Sequence, residues 1–233
     1  MGGKYYWLIN TLHNFSIYKE LTKANLAIKD NRLLKVLKKF KNREKFRLLN
    51  RINHFSPVLE EDCLLLKKNY KNFRPTYLTW NYGNLEVHYQ SDLPINGHSI
   101  LLGSSDTATT SHYDVLQIVD KLNLSNKKIF IPLSYGEKVY KERLRNYILK
   151  ERYNQNKITL HYWKIILALK EYNQILSQCH NVFMGHIRQQ ASGIIISLIY
   201  MGSKLCFFRE GIVYQYFINK GLIVYSFDSI IRK

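Results

Sequence analysis

Val182 to Gly202 reads VFMGHIRQQASGIIISLIYMG, in which an apolar run, a polar turn and a second apolar run follow one another directly. The pattern predicts a buried strand over Val182–Met184, a polar loop over Gly185–Gln190 and a helix over Ala191–Tyr200 whose first turn carries Ser192 and Gly193. Small residues at a helix start let backbone N–H groups and the positive end of the helix dipole face an anion. Arg188 adds a guanidinium fork that matches phosphate oxygens. The residue types in this order suit a diphosphate. Gln189 and Gln190 stand beside it as ribose or phosphate contacts, or as ordinary residues at a helix start.

Two further polar loops have the composition to join that seat. GSSDTATTSH, from Gly103 to His112, presents Ser104, Ser105, Thr107, Thr109, Thr110 and Ser111 beside backbone N–H groups, a set suited to phosphates and a ribose. A Ser/Thr-rich turn with an N-cap has the same composition. PLSYG holds Pro132, Ser134 and Gly136, all ordinary turn formers, with Tyr135 either packing or facing a ligand.

These loops fall between regularly alternating elements. Strands are predicted at Ser99–Leu102, Lys128–Pro132, Ile158–His161, Val182–Met184, Lys204–Phe208 and Leu222–Tyr225. Helices are predicted at His112–Leu122, Glu137–Arg152, Ala168–Gln178 and Ala191–Tyr200. Such alternation implies an α/β fold with a parallel sheet covered by helices on both faces, whose ligands bind beyond the carboxyl ends of the strands. The three polar loops then converge on one crevice.

Before that region the chain is less regular. MGGKYYW resembles a strand-to-helix turn. RLLKVLKKFKNREKFRLLNR, from Arg32 to Arg51, carries nine basic residues against Glu44 alone, with Leu33, Leu37 and Phe40 at helical spacing. It reads as a basic amphipathic helix, interrupted near Asn42. Its lysines, among them Lys38, Lys39, Lys41 and Lys45, are either solvated or docked on anionic lipid, where each adds roughly 1 kcal/mol. A strand at Ile52–Leu59 and a helix opening at Glu60 make a βα unit, Thr76–Val87 reads as a strand or hairpin, and SDLPINGH has linker composition. We therefore expect a partial N-terminal domain over 1–90, a linker over 91–97 and a C-terminal domain over 98–233.

With 233 residues, 46% of them hydrophobic, the chain can bury a sizeable core. No apolar run is long enough to span a bilayer and no signal-peptide pattern opens the sequence, which places the protein in the cytoplasm. Cys63, Cys179 and Cys206 lack metal-ligand spacing and read as reduced packing residues. A formal charge of +18 points to nucleic acid, anionic lipid or an acidic substrate. No recognised nucleic-acid motif accompanies it, and the abundance of Lys, Asn, Ile and Tyr together indicates an A+T-rich coding bias. No nucleic-acid partner is expected.

ILLGSSDTATTSHYDVL, IFIPLSYG followed by Tyr140, EYNQIL, HIRQQASG and IYMGSKL resemble, in order and spacing, the bacterial TDP-N-acetylfucosamine:lipid II N-acetylfucosaminyltransferases. MGGKYYW and PVLEEDCLLLKKNY extend that resemblance more weakly. It implies a GT-B-like glycosyltransferase with two Rossmann-like domains, a TDP-sugar donor, an undecaprenyl-diphosphate-linked saccharide acceptor, and no cofactor or bound metal. The sugar would be an acetamido-dideoxy-galactose, the pathway surface polysaccharide assembly of the enterobacterial common antigen type, and the location the cytoplasmic face of the inner membrane. The donor contacts it implies are Gly103, Ser104, Ser105, Thr109, His112, Pro132, Ser134, Tyr135, Gly136, Arg188, Gln189, Gln190 and Gly193. Where the family usually carries Asn this chain has Ser104, Thr110, Ser111 and Ile194, and Lys4 replaces an aspartate. Roughly a hundred residues that usually precede the GG turn are absent, so the N-terminal domain is expected to be truncated. The acceptor-side base is expected from that domain, where His13 and Asp62 lie. An inactive remnant that retains its nucleotide site, or a basic binding module, is the alternative reading.

Overall fold

The computed structural model describes residues 16–28, 36–37, 40, 42–79, 93–122, 124, 127–150, 159–163 and 167–231. In chain order these form α1 (Glu20–Leu26), α2 (Arg43–Leu49), β1 (His54–Phe55), α3 (Glu60–Asn69), β2 (Thr76–Tyr77), β3 (Ser99–Leu102), α4 (His112–Lys121), β4 (Lys128–Pro132), α5 (Lys138–Lys150), β5 (Thr159–Trp163), α6 (Leu169–Ser177), β6 (Cys179–Met184), α7 (Ser192–Met201), β7 (Lys204–Phe207), α8 (Ile212–Asn219), β8 (Tyr225–Ser226) and α9 (Phe227–Ile231). Strands β1 and β2 pair in parallel, and the other six form one parallel sheet in the order β5-β4-β3-β6-β7-β8.

Alternation along the strands builds two cores. Leu101, Phe130, Val182, Met184, Leu205 and Phe207 belong to one cluster with Ile195 and Leu198 of α7. Their neighbours Ile100, Leu102, Ile129, Ile131, Phe183 and Cys206 belong to the other, with Tyr113 and Val115 of α4 and Tyr140 and Leu144 of α5. β3, β4, β6 and β7 thus bury both faces, as a parallel sheet with helices on both sides requires. The first cluster also takes in Phe46, Leu59, Cys63, Leu66 and Phe73, so residues on both sides of the expected linker share one core. The described part of that linker lies pinned against the sheet unit: Ile95 and Asn96 donate their backbone N–H groups to the carbonyls of Met201 and Ser177, at 3.1 and 2.8 Å.

Several boundaries differ from the sequence reading. β6 begins at Cys179 rather than Val182, because Cys179 and Asn181 pair with Ser99 and Ile100 although their side chains are not a continuous apolar run. α8 was not expected, since IVYQYFIN is rich in strand-forming residues. It is helical with Ile212, Val213 and Phe217 buried, and the expected strand at Leu222–Tyr225 is displaced to Tyr225–Ser226. Of the expected helix from Arg32 to Arg51, α2 starts just after Asn42, its N-cap. Lys38, Lys39 and Lys41 lie outside the described residues, as do His13 and most of Thr76–Val87; Lys45 is exposed on α2. All three cysteines are free and buried, and burial pushes the thiols of Cys179 and Cys206 up to about 12. Among the described residues no helix is long and apolar enough to cross a membrane.

A buried carboxylate fastens the N-terminal segment to the sheet unit. Asp114 on α4 accepts the backbone N–H groups of Leu21 and Thr22, both at 2.9 Å, and the Thr22 hydroxyl at 2.6 Å. It thereby serves the start of α1, whose own N-cap, Lys19, supplies no side-chain acceptor. Charge-assisted hydrogen bonds of this kind contribute about 1.5–3 kcal/mol each. Asp114→Ala is therefore expected to lower the unfolding free energy by at least about 2 kcal/mol and to speed proteolysis within 16–27. Urea melts with timed digestion check it, and an unchanged digestion rate would mean that Asp114 does not hold α1.

Candidate functional site

β4 lies on one side of β3 and β6 on the other. The chain reverses its direction of winding between these strands, so the loops leaving β3 and β6 diverge and open a crevice beyond their carboxyl ends. A cavity of about 420 Å³ occupies that position. Ser104, Ser105 and Thr107 line it from the β3 loop, Tyr135 from the β4 loop, Arg188, Gln189 and Gln190 from the β6 loop, and Ala191 and Ile194 from the start of α7. Val58, ahead of α3, closes it from the N-terminal part.

Gln190 spans the crevice. Its Nε2 faces the hydroxyls of Ser105, Thr107 and Thr110 at 3.1, 3.3 and 3.3 Å, and its Oε1 accepts from the Thr109 hydroxyl at 2.8 Å. An amide offers two hydrogens, so the three acceptors share them while the hydroxyls bond one another, Ser105 to Thr107 at 3.1 Å and Thr107 to Thr109 at 3.2 Å. Arg188 donates through Nη2 to Thr109 Oγ1 at 3.3 Å. The expected contacts Ser105, Thr109, Arg188 and Gln190 are thus one network. Gln190 lines the cavity while it is bonded to the hydroxyl loop.

The two helices beside the crevice are both entered through left-handed residues, Ser111 at φ 53° before α4 and Ala191 at φ 60° before α7. For residues with a Cβ this conformation costs of order 1 kcal/mol and tends to occur at functional turns. Ala191 makes no side-chain cap, which leaves the first N–H groups of α7 without a side-chain acceptor, and Ala191 and Ile194 line the cavity while Gly193 is not among its lining residues. Tyr18 packs against the core that contains Tyr113 and Tyr140. Its hydroxyl is pushed up by burial and by Glu137, while Arg188 acts in the opposite sense.

Other expected contacts are placed differently. His112 is fully buried, with Nδ1 3.0 Å from the Tyr140 hydroxyl, and its Nε2 lies under Gly103, where an added Cβ would fall 2.8 Å away. Its ring supports the β3 loop from beneath instead of facing the cavity, because α4 turns its first residue inward. Gly103, at φ 75°, accommodates that packing as no side chain would. Pro132 is buried at the end of β4, Ser134 is half-buried, Tyr135 is exposed, and Gly136 bridges to Asp106. Asp62, expected near the acceptor side, is buried in the first turn of α3. Among the described residues no cluster of His, Cys, Asp or Glu has the makings of a metal site. The sequence reading passed over Asp106, Val58 and His186. Asp106 was legible as the one acid in a hydroxyl loop, whereas nothing in the sequence brings Val58 there.

Residues 66–232 match the family described as "4-alpha-L-fucosyltransferase glycosyl transferase group 56", a span that contains all three cavity loops. Among solved structures the chain is similar to a protein in the "Crystal structure of GtfA/B complex", with a TM-score of 0.51 and 19% identity. That likeness covers 81% of this chain and only 36% of the other, and it is a likeness of fold, GT-B-like α/β. No curated protein matches the chain.

His186, directly before this site, is buried with neither ring nitrogen hydrogen-bonded among the described residues. Burial lowers the pKa of both His112 and His186 to about 3, with Arg188 adding to the effect at His186. Both rings stay neutral in the folded protein, while the unfolded chain takes up protons near pH 6.5. The unfolded state therefore binds more protons between about pH 6.5 and 3, and stability falls as the pH drops through that window. The expected slope is up to about 1.4 kcal/mol per pH unit for each histidine. Denaturant melts from pH 7 to 5.5, where carboxylates titrate little, should show this loss, and His186→Leu should remove about half of it. A stability flat across that range would contradict the assignment.

Proposed function

Since the chain belongs to the 4-alpha-L-fucosyltransferase glycosyl transferase group 56 family, we propose that it binds a nucleotide-diphosphate sugar in the crevice between β3 and β6 and transfers the sugar to a lipid-linked saccharide. The donor is a TDP-linked acetamido-dideoxy-galactose and the acceptor an undecaprenyl-diphosphate-linked saccharide of surface polysaccharide assembly. The observation that carries the reading is the meeting of Arg188, the start of α7 and the hydroxyl loop around one cavity.

Breaking a glycosyl phosphate bond develops positive charge at the anomeric carbon and negative charge on the departing diphosphate. Donors already aimed at that diphosphate lower the barrier, because they need not reorganise as charge appears. The Arg188 guanidinium, which is bonded to Thr109, and the first N–H groups of α7 would supply those donors. Gln190 keeps the hydroxyls of Ser105 and Thr107 turned toward the cavity for the ribose and the phosphates. Val58 and Ile194 give the cavity an apolar side, suited to the deoxy face of the sugar.

An anionic membrane surface fits the basic N-terminal segment, where Leu37 and Phe40, 61% and 72% exposed, are next to lysines in the sequence. Exposed apolar side chains flanked by cations match the interfacial zone of a bilayer. The protein would then work on the cytoplasmic face of the membrane that holds its acceptor.

Calorimetric titration with dTDP tests the donor reading. Arg188→Ala is expected to cost roughly 1.5–3 kcal/mol of affinity, and Arg188→Lys, which keeps charge without the fork, less. A lower stability of Arg188→Ala with unchanged dTDP affinity would withdraw the site. Flotation on phosphatidylserine vesicles tests the membrane reading. Binding should fade as salt screens the charge, and neutralising Lys38, Lys39, Lys41 and Lys45 should abolish it. Binding indifferent to those four changes would move the contact elsewhere.

A further inference from the structure

Asp106 is the one acid in the hydroxyl loop, and it is 1% exposed. Its backbone brackets Gly136 on both sides: its N–H donates to the Tyr135 carbonyl at 3.1 Å, and its carbonyl accepts the Glu137 N–H at 3.0 Å. Its side chain reaches the same turn. Lys141 Nζ, on the first turns of α5, holds Oδ2 at 2.7 Å, while Oδ1 lies where a Cβ on Gly136 would be, 2.2 Å from that point. Gly136 sits at φ 145°, outside the range an L side chain adopts readily. The β4 loop is therefore pinned to the β3 loop by two backbone bonds, a buried ion pair and a close approach that only glycine allows.

What this pinning delivers is Tyr135. It is 70% exposed and lines the same cavity as Arg188. The sheet places these two residues on different loops, Arg188 after β6 and Tyr135 after β4, with β3 between them. A nucleotide whose diphosphate meets Arg188 has its base and ribose directed across the β3 hydroxyls. A flat, amphipathic ring held on the β4 loop is the surface a base would stack upon, and a tyrosine with two rotatable side-chain bonds loses little entropy in providing it.

We infer that Tyr135 is the nucleobase platform of the site and that Asp106 is a positioning residue, which with Lys141 and Gly136 fixes where that platform stands. The inference rests on the nucleotide reading above and adds which loop of the cavity receives the base. Stacking uses the π-face that every base carries, so Tyr135 contributes affinity without choosing among pyrimidines. Selection between donors then falls to other residues of the cavity.

The test is titration of the full-length chain with dTDP and with UDP. Tyr135→Phe should keep the affinity for both, whereas Tyr135→Ala and Tyr135→Leu should each weaken both by roughly tenfold, because leucine restores apolar area but no flat ring. Asp106→Asn keeps the shape and loses the ion pair. It should weaken dTDP binding severalfold, and the Asp106→Asn/Tyr135→Ala double variant should bind no more weakly than Tyr135→Ala alone, since both changes act through one contact. Should Asp106→Asn not fold, Lys141→Gln removes the same ion pair and carries the same expectation. Unchanged dTDP affinity in Tyr135→Ala, loss of affinity in Tyr135→Phe equal to that in Tyr135→Ala, or additive losses in the double variant would overturn the inference and leave the nucleotide site standing. Failure of the wild-type chain to bind dTDP at all would overturn both.

Discussion

Two parallel strands that send their loops in opposite directions leave a gap, and the gap in this protein is spanned by one amide. Gln190 stands on the β6 side and holds four hydroxyls of the β3 loop. Because the amide is both donor and acceptor, it orders hydroxyls that could otherwise rotate freely, and it does so next to the guanidinium of Arg188. The cavity has its shape because that bridge is made. Ser105 and Thr107 without it would be ordinary residues of a polar turn. A network of this kind is stable only when nearly every member is satisfied, which explains why the hydroxyls also bond one another.

Rigidity beneath the cavity comes from a second layer. His112 and Tyr140 pair below the β3 loop, Asp106 and Lys141 pair between the β3 and β4 loops, and the left-handed residues Ser111 and Ala191 turn the chain into α4 and α7. Burial keeps the His112 ring neutral and pushes the Tyr140 hydroxyl well above its ordinary range, so both remain uncharged supports. The N-terminal elements are joined to this frame through the shared core around Leu66 and Leu205 and through Asp114, which serves α1 from α4. Val58, ahead of α3, is the residue of the N-terminal part that lines the cavity.

How far the sequence could be read depended on whether the deciding interaction was local. β3 and β4 were placed to the residue because each is a short apolar run bounded by polar turns, and their alternation with helices implied the parallel sheet. The N-cap at Asn42 was likewise visible as a break in the helical period. α8 was hidden because its residues favour strands and only packing of Ile212, Val213 and Phe217 makes them helical. His112 was expected to face the ligand since a hydroxyl run ends on it, but the direction of its side chain depends on Tyr140, 28 residues further on. The engagement of Gln190 with the β3 loop spans about 80 residues of sequence and was invisible for the same reason. The position of Arg188 at the cavity was legible because a strand, a polar turn and a small-residue helix start are adjacent in the chain.

We propose that the crevice between β3 and β6 seats a diphosphate against Arg188 and the start of α7 while Gln190 stays engaged with the hydroxyl loop. A crystal structure of the full chain soaked with dTDP measures this directly. Phosphate oxygens should lie at about 2.7–3.2 Å from the Arg188 guanidinium and from the first N–H groups of α7, with the bonds from Gln190 to Ser105 and Thr107 intact. A nucleotide bound elsewhere on the surface, or one seated here only after Gln190 has left those hydroxyls, would contradict it.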